Sequence, residues 1–298
     1  MDENGFAHKP FTPGRFEQGC TALQNDRSQG ASALARHALV LLEREALAQQ
    51  GADPATFCAT MGRCCDTLAQ LRPSMTVIGT QVRRWHTELE RVCAEQPAGA
   101  PATHMVHYAA QLLAASERAC AAAAQHMASI IRPDSTIITL SSSSTLNAVF
   151  RLLPARVRVI VAESRPLNEG VTVVQQLLQR GFEAILITEA QLGLFVAQAD
   201  MALIGADSIL ADGTVVNKVG SYLLALAAHA AGVDMYCCHE RFKECFLTRA
   251  EFEIEAMDVA ELGHVEVPAA AQRNLYFDCT PAHLISARVT EHGMVMRE

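Results

Sequence analysis

The chain has almost no lysine: of 24 basic residues only Lys9, Lys218 and Lys243 are lysines, the rest being arginines. Against 32 acidic residues they leave a formal net charge of −8. That balance lacks the basic surface that nonspecific nucleic-acid binding requires. No apolar run approaches the roughly 18–20 residues of a membrane span. The first residues, MDENGFAHKPFTPG, lack the apolar stretch of a secretory signal. The expected setting is therefore the cytoplasm, with neither nucleic acid nor membrane as partner. The ten cysteines contain no CxxC pair. Cys64-Cys65 and Cys237-Cys238 are neighbours, which rarely bridge each other, so the cysteines read as reduced thiols used as small apolar side chains. A metal site around Cys237, Cys238, His239 and Cys245 fits no zinc-ligand spacing. Neither a metal nor a cofactor is expected.

What is present is a globular composition, half of it hydrophobic, over 298 residues. That length fits one large α/β unit or two domains. Residues 1–133 hold 12 basic and 12 acidic side chains, whereas residues 134–298 hold 12 and 20, so the whole excess lies in the second stretch. The hydrophobic period changes at the same point. Before Pro133 no strand pattern occurs. An extended arm with a short helix covers 1–25, and a helix runs from Ala31 to about Gln50. Asp53-Pro54 supplies the N-cap and first-turn proline of the next, and Pro73 starts another. AEQPAGAPAT (94–103) reads as a linker, and an Ala-rich helix follows from about Thr103 to Ile131. After Pro133, short apolar runs at 135–140, 157–162, 184–188, 201–204, 234–238, 276–279 and 285–289 read as strands. Helices are expected at 145–153, 169–180, 190–197 and 217–231. Such alternation indicates parallel βαβ units with both sheet faces covered. The expected fold class is α/β, with an all-helical N-terminal domain (1–132) and a doubly wound, mostly parallel sheet domain (133–298).

In doubly wound sheets ligands bind outside the carboxyl ends of the strands, and four segments fall there. Ser141-Ser142-Ser143-Ser144 follows the first strand, and hydroxyls and amides at a helix N-terminus suit phosphate. A polar loop with an N-cap serine is the competing reading. Glu163-Ser164-Arg165-Pro166 follows the second strand, where Arg165 either grips a phosphate or carboxylate or forms a structural salt bridge. Gly205-Ala206-Asp207 follows the fourth, where Asp207 is either a catalytic acid/base or a loop cap. Asn217-Lys218-Val219-Gly220 reads as a helix start. A lysine there opposes the helix macrodipole, and a bound anion would resolve the conflict. Together the four imply a phosphorylated small molecule with a carboxylate near its reacting end.

IGADSILADGTVVNKVGSYLLALAAH (204–229) resembles the GAD…NG…NKIGT signature of one superfamily. Its branches are methylthioribose-1-phosphate isomerase, ribose-1,5-bisphosphate isomerase, and the alpha, beta and delta subunits of translation initiation factor 2B. DRSQGASALARHAL (26–39), AESRPLNEG (162–170) and NLYFDCTPAHLISARVTEHG (274–293) are similar to further segments of it, chiefly in the ribose-bisphosphate and initiation-factor branches. The resemblance implies a Rossmann-like C-terminal domain and a homodimer or higher homo-oligomer. In the isomerase branches it implies opening of a sugar-1-phosphate ring and a carbonyl moved from C1 to C2. It assigns the acid/base pair to Asp207 and, at the family's cysteine, to Ser141. It assigns ligand contacts to Arg27, Gly30, Ala31, Ser142, Ser143, Arg165, Glu169, Asn217, Lys218 and Lys243.

Three positions depart from the isomerase pattern. Ser141 stands for the cysteine, Gln29 for the arginine of RGA (with Arg27 nearby), and Glu169 for a glutamine. A serine hydroxyl is a far weaker acid than a thiol, whose reference pKa is about 8.5. The initiation-factor subunits also lack the cysteine, and they bind rather than turn over. Two functions are thus expected to compete, with a weaker third beside them, an enzyme of changed chemistry on a substrate with one phosphate, since two phosphate contacts differ. One is an isomerase-like protein acting on a phosphorylated sugar, favoured by the retained Asp207, Asn217, Lys218 and Arg165. The other is a noncatalytic sugar-phosphate or nucleotide sensor, or a regulatory subunit of the initiation-factor type, favoured by Ser141, Gln29 and Glu169.

Overall fold

The computed structural model describes residues 14–95, 101–263 and 266–296. Residues 1–13 of the expected arm and 96–100 of the expected linker lie outside them.

Five helices precede the first strand: α1 (Arg15–Asn25), α2 (Ala31–Ala48), α3 (Pro54–Ala69), α4 (Thr76–Glu95) and α5 (Pro101–Ile130). The sequence dictates the start of α3 directly. The Asp53 side chain accepts from the Thr56 amide at 3.0 Å, and Pro54 occupies the first turn, where its missing N–H costs nothing. The expected start at Pro73 is corrected: α4 begins at Thr76, and Pro73 lies in the preceding turn, where the Met75 amide bonds to the Arg72 carbonyl. One finding overturns the expectation that every thiol is free. Cys58 of α3 and Cys93 of α4 are joined by a disulfide, with Cα atoms 6.3 Å apart, while the other eight cysteines are unbridged. The pairing was hidden by 35 residues of separation and appears only because α3 packs along α4.

The remaining elements are β1 (Thr136–Leu140), α6 (Ser144–Arg151), β2 (Arg158–Ala162), α7 (Glu169–Gln179), β3 (Glu183–Ile187), α8 (Leu192–Phe195), β4 (Met201–Ile204), β5 (Ser208–Ile209), β6 (Val215–Lys218), α9 (Ser221–Ala231), β7 (Met235–Cys238), β8 (Phe277–Thr280), β9 (Ala287–Thr290) and β10 (Gly293–Met296). The main sheet has the order β10-β9-β7-β4-β1-β2-β3 and is parallel except for β10, which pairs antiparallel at one edge. Alternation along its strands splits two cores. Ile138 and Leu140 of β1 and Ile160 of β2 face α8 and α9, while Ile137, Val159 and Val161 face α5, α6 and α7. The sheet is therefore covered on both faces, an α/β fold.

Two segments depart from the sequence reading. The strand expected at 276–279 does not complete the main sheet. As β8 it joins β5 and β6 in a separate three-stranded antiparallel sheet. The helix expected from Asn217 begins at Ser221 instead. Asn217 and Lys218 end β6, paired with Asp278 and Phe277, and Gly220 at φ 104° makes the turn into α9. The small sheet packs under the first helices, because Val216, Tyr276 and Phe277 share a core with Leu34, Leu39, Trp85 and Met105. At 30 residues, roughly 45 Å, α5 serves two cores: Met105 and Ala109 pack in that one, Ala123, Ala124 and Met127 against the main sheet. Among the described residues no helix is long and apolar enough to cross a membrane.

Candidate functional site

Strand order fixes where a pocket forms. From β1 the chain proceeds to β2 and β3 on one side and to β4 and β7 on the other, so the connections diverge between β1 and β4. Such a switch point leaves a crevice at the strands' carboxyl ends. Ser141–Ser144 leave β1 there, Gly205-Ala206-Asp207 leave β4, Glu169 opens the helix after β2, and Lys243 follows β7. The opposite wall comes from the loop before α2 (Asp26–Gly30), from Arg72, from Asn217 and Lys218 of the small sheet, and from Tyr276 just before β8. These groups line one cavity of about 60 Å³.

The backbone around it tolerates little change. A Cβ at Gly205 would lie 2.8 Å from Ser143 Oγ and 3.0 Å from its Cβ, so glycine lets the β4 loop approach the serine loop. Ser141 takes φ 62° and Ser164 φ 69°, a region that non-glycine residues rarely occupy. The two are tied together: the Ser141 amide donates to Ser164 Oγ at 2.6 Å, and the Ser164 amide donates to Glu189 Oε1 at 2.5 Å. Ser143, the N-cap of α6, makes no side-chain cap hydrogen bond. The loop before α2 is organised by Asp26, which accepts from the amides of Ser28 (2.7 Å) and Gln29 (3.1 Å). Burial alone would raise the Asp26 carboxyl, but these hydrogen bonds hold it below the ordinary range. Gln29 Nε2 also donates to Asp26 Oδ2 at 2.9 Å, so this side chain is spent on its own loop.

Charge in the cavity is arranged in opposed pairs. Lys218 is almost fully buried, donates to Glu169 Oε1 at 2.7 Å, and lies 4.5 Å from the centroid of the Tyr276 ring. Lys243, 2% exposed, meets Glu240 Oε2 at 3.0 Å; Glu240 has no exposed surface and also accepts from Thr145 Oγ1 (3.1 Å) and Ser32 Oγ (3.4 Å). Desolvation opposes the charge on Lys243, yet attraction to Glu240 and Asp207 wins and its pKa is raised. The Asp207 carboxyl is pushed up by desolvation, against the pull of Lys243 and Lys218 and a hydrogen bond from the Ala31 amide, the first residue of α2.

The cavity thus brings together Arg27, Gly30, Ala31, Ser141, Ser142, Ser143, Glu169, Asp207, Asn217, Lys218 and Lys243. It does not include Arg165, whose exposed side chain donates to the Leu262 carbonyl at 2.6 Å. Arg27 lines the cavity but is held by the Gln24 carbonyl (2.7 Å) and by Glu261 (3.5 Å). Three residues were missed. Arg72 is buried, donates to the Asp26 carbonyl at 3.1 Å and keeps a buried Nε without a hydrogen-bond partner; its one sequence signal was an arginine before a proline, as at 165. Glu240 stood in the open after the fifth strand. Tyr276 opened a segment read only as strand.

The premise that Lys218 opposes a helix dipole is also corrected, because it sits in β6. An anion does cap α9, and it belongs to the chain. Asp278 accepts from the amides of Gly220 (2.7 Å) and Tyr222 (3.1 Å). Desolvation pushes this carboxyl up to about 6, and those hydrogen bonds only partly oppose it. A carboxyl raised on folding contributes stability that is complete below its unfolded pKa and is lost as pH rises through the folded value. The stability gap between the wild type and Asp278→Asn, measured by melting curves between pH 4 and 8, should therefore change up to about pH 6 and level off above it. The wild type should lose on the order of 2 kcal/mol relative to the variant as pH rises; a constant difference would show that Asp278 ionises normally.

Comparison with known proteins agrees over most of the chain. A model of the Initiation factor 2 subunit family matches residues 27–297. Over 173 residues the chain is 38% identical to a putative translation initiation factor eIF-2B subunit 2-like protein of Pyrococcus horikoshii, a match covering 57% of this chain and 60% of that one. It is 29% identical over 300 residues to a methylthioribose-1-phosphate isomerase of Chloroflexus aurantiacus (92% and 85% covered). It is 27% identical over 282 residues to a ribose 1,5-bisphosphate isomerase of Haloferax volcanii (92% and 86% covered). Among solved structures, the translation initiation factor eIF-2B of Pyrococcus horikoshii superposes with a TM-score of 0.83 at 29% identity, over 96% of this chain and 98% of that one.

Proposed function

The chain belongs to the Initiation factor 2 subunit family, and from that premise we propose that it binds a phosphorylated sugar in the cavity between β1 and β4 and has isomerase-like chemistry. The observation that carries this reading is Asp207. Its carboxyl is pushed up by desolvation, faces Lys243 and Lys218, and shares the cavity with the serine loop. A carboxyl shifted upward by desolvation is moved in the direction that general acid/base work requires. The serine loop at the N-terminus of α6 supplies hydroxyls and amides for a phosphate, and Arg72 and Lys218 supply charge. Asp207 is the acid/base of this reading. By resemblance Ser141 stands where the isomerase branches have a cysteine, and its hydroxyl is a poor proton donor by comparison. The position of Arg165 argues against the phosphate role read from its sequence.

A second reading is a noncatalytic sugar-phosphate or nucleotide sensor of the initiation-factor type. Ser141 favours it, because the backbone there is tied to Ser164 and the side chain is not a thiol. In either case we propose a cytoplasmic homo-oligomer. Most of the cysteines are free thiols, as reducing conditions keep them. The exposed Tyr222, Leu223 and Leu226 of α9, beside Leu194 of α8, form an apolar face suited to a second copy.

Thermal melts against a panel of sugar phosphates test the reading. Ribose phosphates should raise the melting temperature, and Lys218→Ala should weaken their binding by about 1.5–3 kcal/mol, the worth of a charged hydrogen bond. A panel in which no phosphosugar shifts the melt would remove both readings.

A further inference from the structure

Four cationic side chains line the cavity, but three are already engaged by carboxylates. Lys218 is bonded to Glu169, Lys243 to Glu240, and Arg27 lies 3.5 Å from Glu261. Of the four, Arg72 keeps a buried donor, Nε, with no hydrogen-bond partner. Arg72 and the serine loop are thus the donors least committed to the protein's own carboxylates, while Lys218 must share its charge between Glu169 and a ligand.

Glu169 decides what the other end of a ligand meets. The sheet order β4-β1-β2 puts Asp207 and Glu169 on opposite sides of the serine loop. Gly170 fixes the carboxylate there, because a Cβ on that residue would collide with the Ala162 carbonyl and no bulkier residue lets α7 start so close to β2. Glu169 Oε1 accepts from Lys218, while Oε2 is buried without a hydrogen-bond partner. An ionised carboxylate oxygen is an acceptor only, and leaving it buried and unpaired is costly. A hydroxyl donor satisfies it. A phosphate brings only further negative charge to it and competes for the one cation, Lys218, that Glu169 already holds.

Resting on the sugar-phosphate reading above, we infer that Glu169 is the specificity determinant of this cavity. It admits a sugar with one phosphate whose unphosphorylated end donates hydroxyl groups to the carboxylate, and it rejects a second phosphate at that end. A glutamine in its place keeps the shape and one acceptor oxygen but removes the negative charge that offsets Lys218.

Calorimetric titration of the full-length chain and of Glu169→Gln with inorganic phosphate, ribose 1-phosphate and ribose 1,5-bisphosphate tests this. The wild type should bind the monophosphate at least tenfold more tightly than the bisphosphate. The variant should lower that ratio at least tenfold. Equal or tighter binding of the bisphosphate by the wild type overturns the inference while leaving the sugar-phosphate reading intact, as does an unchanged ratio in the variant. Should Glu169→Gln not fold, the wild-type ratio alone decides. Binding of none of the three probes by the wild type overturns the sugar-phosphate reading and this inference with it.

Discussion

Asp207→Asn is expected to lower the turnover of any sugar phosphate the chain isomerises by about 10²–10⁴-fold, the usual worth of a positioned acid/base, while leaving affinity within a few-fold. Asparagine keeps the size of the side chain and an oxygen that can accept from the Ala31 amide, an interaction the carboxylate already has. It cannot carry a proton. Binding is spared because the substitution removes negative charge near Lys243 and Lys218, which favours an anionic ligand. Steady-state kinetics and calorimetry on the same preparation separate the two effects. Undiminished turnover in the variant would take Asp207 out of the chemistry. A wild type that binds sugar phosphates and turns none over would favour the sensor reading, with Ser141 as the physical reason.

Glu240→Ala should cost about 3–5 kcal/mol of folding stability, the typical result of removing one partner of a buried ion pair. Glu240 has no exposed surface and Lys243 only 2%, so the variant leaves an ammonium in the interior with Asp207 as its remaining neighbouring carboxylate. It also removes the shared acceptor that joins Ser32 of α2, Thr145 of α6 and the segment after β7. The loss should thus be felt across the contact between the first helices and the sheet. Urea denaturation measures it. Glu240→Gln combined with Lys243→Met should recover part of the loss, because the uncompensated charge is gone. If the double variant is no more stable than Glu240→Ala, packing and not charge dominates at this position.

Much of the architecture was readable because local chemistry and long-range packing agreed. Asp53-Pro54 announces a helix start, and the short apolar runs at 135–140, 157–162 and 201–204, alternating with helical segments, point to a covered parallel sheet. The segment 213–220 was misread because its pattern is ambiguous at short range. Val215-Val216-Asn217-Lys218 fits a strand or a first helical turn, and its antiparallel partner, β8, lies about 60 residues further on. A separation of 35 residues likewise concealed Cys58–Cys93. In the cavity, the segments at strand ends could be named in advance, since loops at the carboxyl ends of parallel strands must converge. Arg72 could not, because it comes from a turn between two helices and reaches the site only through the packing of those helices on the small sheet.

The scarcity of lysine marks the division between the two kinds of knowledge. The sequence by itself determined the fold class, the family and the presence of two lysines in segments bound for the site, because those follow from residue type and spacing. Only the tertiary structure decided what each lysine does. Charge acts through space, and the carboxylates that meet Lys218 and Lys243 were fixed by where α7 begins and how the chain turns after β7. Glu169 and Glu240 engage both charges, Arg165 turns outward to Leu262, and Arg72 keeps a buried donor without a hydrogen-bond partner.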